Sequence, residues 1–343
     1  MLVRARCVAG LAARAWQHGR VVPVPTSART TTGPTLPAAV LLREVGPRDG
    51  LQAEQPVSVA VRADLVGRLV DAGFANIELC SFVSPTAVPA MAGGAEVVAL
   101  VGPLPGVVRT ALVPNVRGAR AAVEVGIDAV TVTISASAEY NLRNVRRTIA
   151  ESLTEIVGIV ELAADATPAP TVDVVVSCAF GSPYEGDIAP AAVRAMCARL
   201  RDLGAVAVTL ADTTGMATPR RIDDVLDLVG VDVGLHLHDT RGAGLANLYA
   251  GLLAGVRRFD TSVGGLGGSP FAAGASGNVA SEDVVALLDD LGVATGVDLE
   301  RLIGAAHWLE GVVGHRLASR VAYAGPRLGG TAGGAVDLVP SPE

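Results

Sequence analysis

Leu235-His236-Leu237-His238-Asp239 places two imidazoles at i and i+2 near the end of an apolar, β-like run, so both rings leave one face of a strand. Two histidines so arranged make half of a metal site. A hydrogen-bonded pair at a sheet edge is the competing reading, and the spacing alone leaves both open. What the chain lacks narrows the choice. All 27 basic residues are arginine. Without a lysine amine there is no Schiff-base aldolase chemistry and no attachment point for pyridoxal phosphate, and the phosphate-loop signature loses its lysine. A protein of this composition that makes or breaks carbon bonds needs a metal ion to hold the developing charge.

The elements that must position such a site are legible after residue 38. Short apolar or β-branched runs cover Val40–Val45, Asn76–Leu79, Val108–Val113, Ala129–Ile134, Val172–Cys178, Val206–Ala211, Val233–Leu237 and Arg258–Val263. Between them lie helical patterns such as Arg62–Ala72, Val116–Val125, Thr148–Ala164, Pro190–Leu203, Pro219–Leu228 and Gly244–Ala254, each long enough for a parallel crossover. Eight strands alternating with helices predict an α/β fold, a (β/α)8 TIM barrel, with two extra C-terminal helical stretches at Glu282–Leu291 and Leu299–Leu317. An open doubly wound sheet would give a similar alternation but would gather its ligands at one switch point. In the barrel, reactive groups belong at the C-terminal strand ends. Arg48 and Asp49 follow the first strand there, Glu78 closes the second, Ser177 and Cys178 close the fifth, Asp212 follows the sixth and His236 and His238 end the seventh.

Bulk properties bound the partners. The 343 residues are 50% hydrophobic but only 3% aromatic, so the core is aliphatic. A net charge of −7 argues against nucleic acid or an anionic membrane surface as partner, and no apolar run reaches the roughly 18 to 20 residues that span a bilayer. Cys7, Cys80, Cys178 and Cys197 form no C-x-x-C pair, which predicts a reducing compartment. Residues 1–37 hold five arginines, five threonines and one serine, and no acidic residue precedes Glu44. They read as a disordered or targeting-like extension. The barrel with its C-terminal helices is expected over residues 38–320 and a flexible tail over 321–343. The expected location is a bacterial cytoplasm, or the mitochondrial matrix if the extension is a transit peptide.

His236 and His238 with Asp49 and the amide oxygen of Asn278 would give a mixed nitrogen and oxygen set with positions left for substrate. That favours Mg2+ or Mn2+, with zinc the alternative. Glu44-Val-Gly-Pro-Arg-Asp-Gly-Leu-Gln52, Ser81-Phe-Val-Ser-Pro85, Ser177-Cys-Ala, Pro183-Tyr-Glu-Gly186, His236-Leu-His-Asp-Thr240 and Gly264-Gly-Leu-Gly-Gly-Ser-Pro270 with Gly274-Ala-Ser-Gly-Asn278 are in order along the chain. Together they resemble 3-hydroxy-3-methylglutaryl-CoA lyase, of the metal-dependent lyase and synthase barrel superfamily, from about residue 40 to about 320.

The resemblance implies that Asp49, His236, His238 and Asn278 bind the cation and that Arg48 stabilises the enolate oxygen of the departing acetyl-CoA. It implies that His236 assists proton transfer as well, and that Glu78 and Asp212 line the site; a helix cap or an ion pair is the plainer role for those two carboxylates. Arg143 and Asn144, with Arg146 and Arg147, would meet the acyl-CoA partner, against the alternative of a solvated helix face. A homodimer is the family expectation. One departure stands out: where the family carries a loop cysteine as proton donor or acceptor, this chain has Ser269, a weaker acid than a thiol. The implied reaction cleaves 3-hydroxy-3-methylglutaryl-CoA, or a close 3-alkyl relative, to acetyl-CoA and acetoacetate or a longer 3-oxo acid. A Claisen condensation synthase of the same superfamily is the alternative enzyme, and a CoA- and metal-binding pseudoenzyme the alternative of another class.

Overall fold

The computed structural model describes residues 35–268 and 277–327. Eight parallel strands close into a barrel in sequence order: β1 Leu41–Glu44, β2 Asn76–Ser81, β3 Val108–Leu112, β4 Ala129–Ser135, β5 Thr171–Ser177, β6 Ala207–Ala211, β7 Gly234–His236 and β8 Arg258–Thr261. Pairing of β1 with β8 closes the ring and sets Arg43 opposite Asp260. The strands read as near-continuous apolar runs because a parallel barrel strand is covered on both faces. In β4 only Thr133 escapes full burial.

The helices are α1 Val59–Asp71, α2 Gly94–Val101, α3 Val116–Glu124, α4 Ala138–Val145, α5 Ile149–Asp165, α6 Pro190–Asp202, α7 Pro219–Val229 and α8 Gly244–Ala254. After the barrel come α9 Ser281–Asp290, α10 Leu299–Val313 and α11 Val321–Ala324. Local chemistry explains their ends. In α7 the Thr218 side chain caps Arg221 N, Pro219 occupies the first turn, and Ile222, Val225, Leu226 and Val229 form one buried stripe. A reciprocal capping box between Thr148 and Glu151 starts α5.

Several sequence expectations change. β2 runs on to Ser81, so Glu78 sits inside the strand and not at its end. Helices α2 and α4 lie in stretches the periodicity did not single out, each only eight residues long. The last long helix stops at Val313, where Gly314 turns left-handed at φ 76°, four residues short of Leu317. The expected flexible tail begins with α11, whose start is held by the Asp283 carboxylate accepting from Arg320 and Val321 amides. The rest of that tail, residues 328–343, and the expected extension, apart from residues 35–37, lie outside the described residues. No helix of the described residues is long and apolar enough to cross a membrane.

Candidate active site

The chain leaves β1 through a single π-helical turn, Gly46–Gly50. The Val45 carbonyl accepts from the amides of Arg48, Asp49 and Gly50 at 3.1, 2.7 and 3.2 Å, a wide turn of a kind that recurs at functional sites. Beneath it, Oε1 of Glu44 accepts from Gly46 N at 2.7 Å and from Val263 N at 2.9 Å, tying this turn to the one after β8. A Cβ on Gly46 would stand 2.6 Å from that carboxylate oxygen, so only glycine lets the turn sit down on Glu44. The result is that Arg48 and Asp49 are delivered to the mouth of the barrel.

His236 ends β7, and His238 follows with the buried Leu237 between them. The returning segment pairs antiparallel with this extension, His238 beside Asn278, through Val279 N to Leu237 O at 3.0 Å and Asp239 N to Gly277 O at 3.2 Å. That bridge is why an asparagine 40 residues downstream by number reaches the histidines. The two Nε2 atoms lie 3.2 Å apart, and Asp49 Oδ2 lies 4.0 Å from that of His236. One ligand atom from each of the three residues falls within 4.8 Å of the others.

Asn278 donates through Nδ2 to Asp49 Oδ2 at 2.7 Å and to Leu266 O at 2.9 Å. Its buried Oδ1 then has no partner among the described residues. Leaving such an acceptor bare costs about 1–3 kcal/mol, a cost that ligation of a cation removes. At Gly267, φ is 120° and a Cβ would lie 2.4 Å from Asn278 Nδ2 and 3.2 Å from Asp49 Oδ2. The loop glycine makes room for Asn278 and Asp49. Two imidazole nitrogens, a carboxylate and an amide oxygen fit a divalent cation.

The charge balance suits that task. Burial raises the Asp49 carboxyl, but Arg48 and the two histidines outweigh it and hold it below its ordinary range. Burial and the neighbouring His236 push His238 down to about 4, which keeps it neutral, as a ligand must be. For His236 burial works downward, yet the hydrogen bond and charge of Asp260 raise it above its ordinary value. Asp260 Oδ2 stands 3.2 Å from His236 Nδ1. It is in turn gripped by Arg43, which also reaches Asp173 at 2.8 Å. Neither Arg43 nor the two aspartates is among the residues singled out from sequence. Their only signal there is a charge inside an apolar strand run.

Arg48 is held by Glu78 at 2.5 Å through Nε and by Asp49 at 2.6 Å through Nη1. The other Glu78 oxygen accepts from Thr131 Oγ1. Asp212 behaves differently. Its Oδ1 caps a turn, accepting from Met216 N at 2.8 Å and Ala217 N at 3.0 Å, while burial pushes its carboxyl up to about 6. It does not line the cleft among the described residues, although its neighbours Ala211 and Thr213 do.

A single cleft of about 1340 Å3 joins these groups. Arg43, Arg48, Asp49, Glu78, Ser177, His236, His238 and Asp260 line one end, and Arg143, Asn144, Arg146 and Arg147 the other. Arg143 is engaged, paired with Glu139 at 2.6 Å and stacked 4.6 Å from the Tyr184 ring centroid. Arg147 donates to Pro114 O at 3.1 Å and approaches Glu155. Arg146, left-handed at φ 55° and exposed, carries no ion pair among the described residues. Ser269 lies outside the described residues.

The model of one family, HMGL-like, matches residues 39–308. The chain belongs to the HMGL-like family. Curated relatives include a 3-hydroxy-3-isohexenylglutaryl-CoA/hydroxymethylglutaryl-CoA lyase of Pseudomonas aeruginosa, 44% identical over 295 residues, covering 84% of this chain and 98% of the relative. The human mitochondrial hydroxymethylglutaryl-CoA lyase is 40% identical over 305 residues, with 87% and 93% covered. An (R)-citramalyl-CoA lyase of Chloroflexus aurantiacus is 42% identical over 310 residues, with 84% and 95% covered. Among solved structures, the hydroxymethylglutaryl-CoA lyase of Pseudomonas aeruginosa superposes with a TM-score of 0.80 at 45% identity, with 84% and 98% covered. The family match spans all eight barrel strands, and the expected fold class and family resemblance both hold.

Proposed function

We propose that this chain is a divalent-metal-dependent carbon–carbon lyase that cleaves 3-hydroxy-3-methylglutaryl-CoA, or a close 3-alkyl relative, to acetyl-CoA and acetoacetate or the matching 3-oxo acid. The observation that carries the reading is the convergence of Asp49, His236, His238 and the bare Asn278 Oδ1 beside the Arg48 guanidinium, in a cleft that extends to a basic rim. Those four residues would hold the cation, with Mg2+ or Mn2+ suited to the oxygen share of the set. A cation bound there supplies Lewis-acid polarisation of substrate oxygens.

The remaining steps belong to the chain. Cleavage breaks C2–C3 after the 3-hydroxyl gives its proton to solvent at the open cleft; C3 becomes the ketone, and the electron pair moves onto C2 and the thioester oxygen. Arg48 is the cation for that oxygen. Two carboxylates fix its Nε and Nη1, and Nη2 has no partner among the described residues. A pre-oriented donor aimed at developing charge is the arrangement that lowers a barrier. Glu78 then positions Arg48. His236 faces Asp260 with Nδ1 and the cluster with Nε2, so we assign it to metal binding; neither nitrogen is left to carry the proton suggested by the family resemblance. Asp212 is assigned to shaping the turn after β6. Ser269 is proposed to stand in for the family's loop cysteine in protonating C2.

The wide apolar walls, including Val83, Val88, Leu112 and Val113, suit a pantetheine arm, and Arg146 is the free cation for a CoA phosphate. A homodimer in an aqueous, reducing compartment completes the proposal; the described cysteines are free and buried, in keeping with the latter. The test is liquid chromatography of purified protein incubated with 3-hydroxy-3-methylglutaryl-CoA, with Mn2+ or with chelator. Equimolar acetyl-CoA and acetoacetate, formed only with metal, support the lyase. Ser269→Cys separates a weakened lyase, which gains rate, from a pseudoenzyme, which stays silent in both forms. Condensation of acetyl-CoA with a 2-oxo acid without cleavage activity would move the assignment to the synthase.

A further inference from the structure

Below the metal cluster lies a buried charged layer that the proposed reaction does not use. Strand register builds it: β8 sets Asp260 opposite Arg43 of β1 on one side and opposite His236 of β7 on the other, so all three side chains enter the barrel at one level. The Arg43 guanidinium forks onto Asp260, Nε to Oδ1 at 2.9 Å and Nη2 to Oδ2 at 2.7 Å. Its Nη1 donates to Asp173 Oδ2 at 2.8 Å, and Thr209 Oγ1 donates to the same oxygen at 2.8 Å. A Cβ on Gly234 would meet that threonine hydroxyl at 2.7 Å, so the glycine leaves the bracket its space. Arg43, Asp173 and Asp260 are each no more than 8% exposed.

Arg43 lines the floor of the cleft, where a lone cation would suggest capture of a substrate carboxylate. Its bonding argues against that role. All three nitrogens already donate to protein carboxylates, and the two aspartates outweigh its single charge. What the layer does instead is hold Asp260 in one orientation, with Oδ2 against His236 Nδ1 at 3.2 Å and His236 Nε2 turned to the cluster. Partners behind a metal-binding histidine commonly change metal affinity about 10- to 100-fold when removed.

We propose that Arg43 is a positioning residue of the metal centre: by clamping both oxygens of Asp260, and being anchored itself by Asp173 and Thr209, it aims His236 Nε2 at the cation. The proposal rests on the metal-site reading above but not on the substrate, so its first readout is metal binding alone. The experiment is a Mn2+ titration of the full-length protein by electron paramagnetic resonance, comparing wild type, Arg43→Lys, Asp260→Asn and the variant carrying both changes.

Arg43→Lys keeps the charge and loses the fork, and it is expected to raise the Mn2+ Kd about tenfold or more. Asp260→Asn is expected to do the same, and the two together to be no weaker than the worse single change, because both break one chain of contacts. A further variant, Arg43→Met with Asp173→Asn, removes the anchor without changing the net charge of the layer and is expected to match Arg43→Lys. At saturating metal, KM for the acyl-CoA stays within twofold of wild type.

An Mn2+ Kd within twofold of wild type in both Arg43 forms, or fully additive effects of Arg43→Lys and Asp260→Asn, overturns the proposal. So does a KM increase with metal affinity unchanged, which is the signature of a substrate-binding arginine. A wild type that binds no Mn2+ overturns it together with the metal reading, whereas Mn2+ binding without lyase turnover leaves it standing and removes only the lyase.

Discussion

At the scale of single residues, the proposed site is a division of labour between metal ligands and their holders. Asp49 serves both sides: one oxygen takes Arg48 and the other faces Asn278 and His236. Arg48 gains its aim from Glu78, so its loss should remove charge stabilisation without removing the metal. Arg48→Met is expected to lower kcat by about 10²–10³ while leaving the Mn2+ affinity within a few-fold, measured by steady-state turnover and by Mn2+ titration. Equal losses in both would show that Arg48 acts mainly by holding Asp49. The convergence of Asp49, His236 and His238 was legible in sequence because the two histidines are spaced for one strand face and the flanking motifs are contiguous. Arg43, Asp173 and Asp260 were not. Arg43 and Asp260 lie 217 positions apart, and only closure of β1 on β8 makes them neighbours.

At the scale of elements, turns after strands are fixed by buried carboxylates. Glu44 ties the π-turn after β1 to the turn after β8, and its Oε2 pairs with Ser281 Oγ, which itself bonds Thr261 Oγ1 at 2.8 Å. Glu282 accepts from Gly264 N at 2.9 Å. Burial pushes Glu44 up to about 8 and Glu282 up to about 7. Between the ordinary carboxylate range and those values the folded chain holds protons that the unfolded chain has released. Stability therefore falls as pH rises through that window and levels above about pH 8. Thermal unfolding should show a Tm lower by about 5 °C or more at pH 8 than at pH 5. Glu44→Gln, a neutral mimic of the protonated acid, should flatten the slope. A Tm that rises from pH 5 to pH 8 in wild type would contradict this account. Strand positions were readable because apolar runs mark them. Helices α2 and α4 were not, since eight residues carry too few periods, and the extension of β2 past Leu79 hides in the polar end of an apolar run.

At the scale of the whole molecule, the cleft joins the proposed metal cluster at the ends of β1 and β7 to the basic segment after β4. The chain carries a net charge of −7, so an anionic substrate must be met locally. Arg146 is placed for that, and Arg143, which the sequence favoured, is already occupied by Glu139 and Tyr184. Arg146→Gln is expected to raise KM for the acyl-CoA about three- to tenfold, with kcat unchanged and with the difference shrinking at high salt. Arg143→Gln should shift KM less. The reverse order would return the phosphate contact to Arg143.

The most direct test of the central claim, that the four-residue cluster binds one cation on which cleavage depends, is a parallel titration of metal-free protein with Mn2+. Bound metal and acetyl-CoA release are followed together, in wild type and in Asp49→Asn. The account predicts that release rises in proportion to bound Mn2+, saturates at one ion per chain, and is lost with the tight binding in Asp49→Asn. Release that persists in chelator, or an Asp49→Asn protein that binds and turns over like wild type, would contradict it.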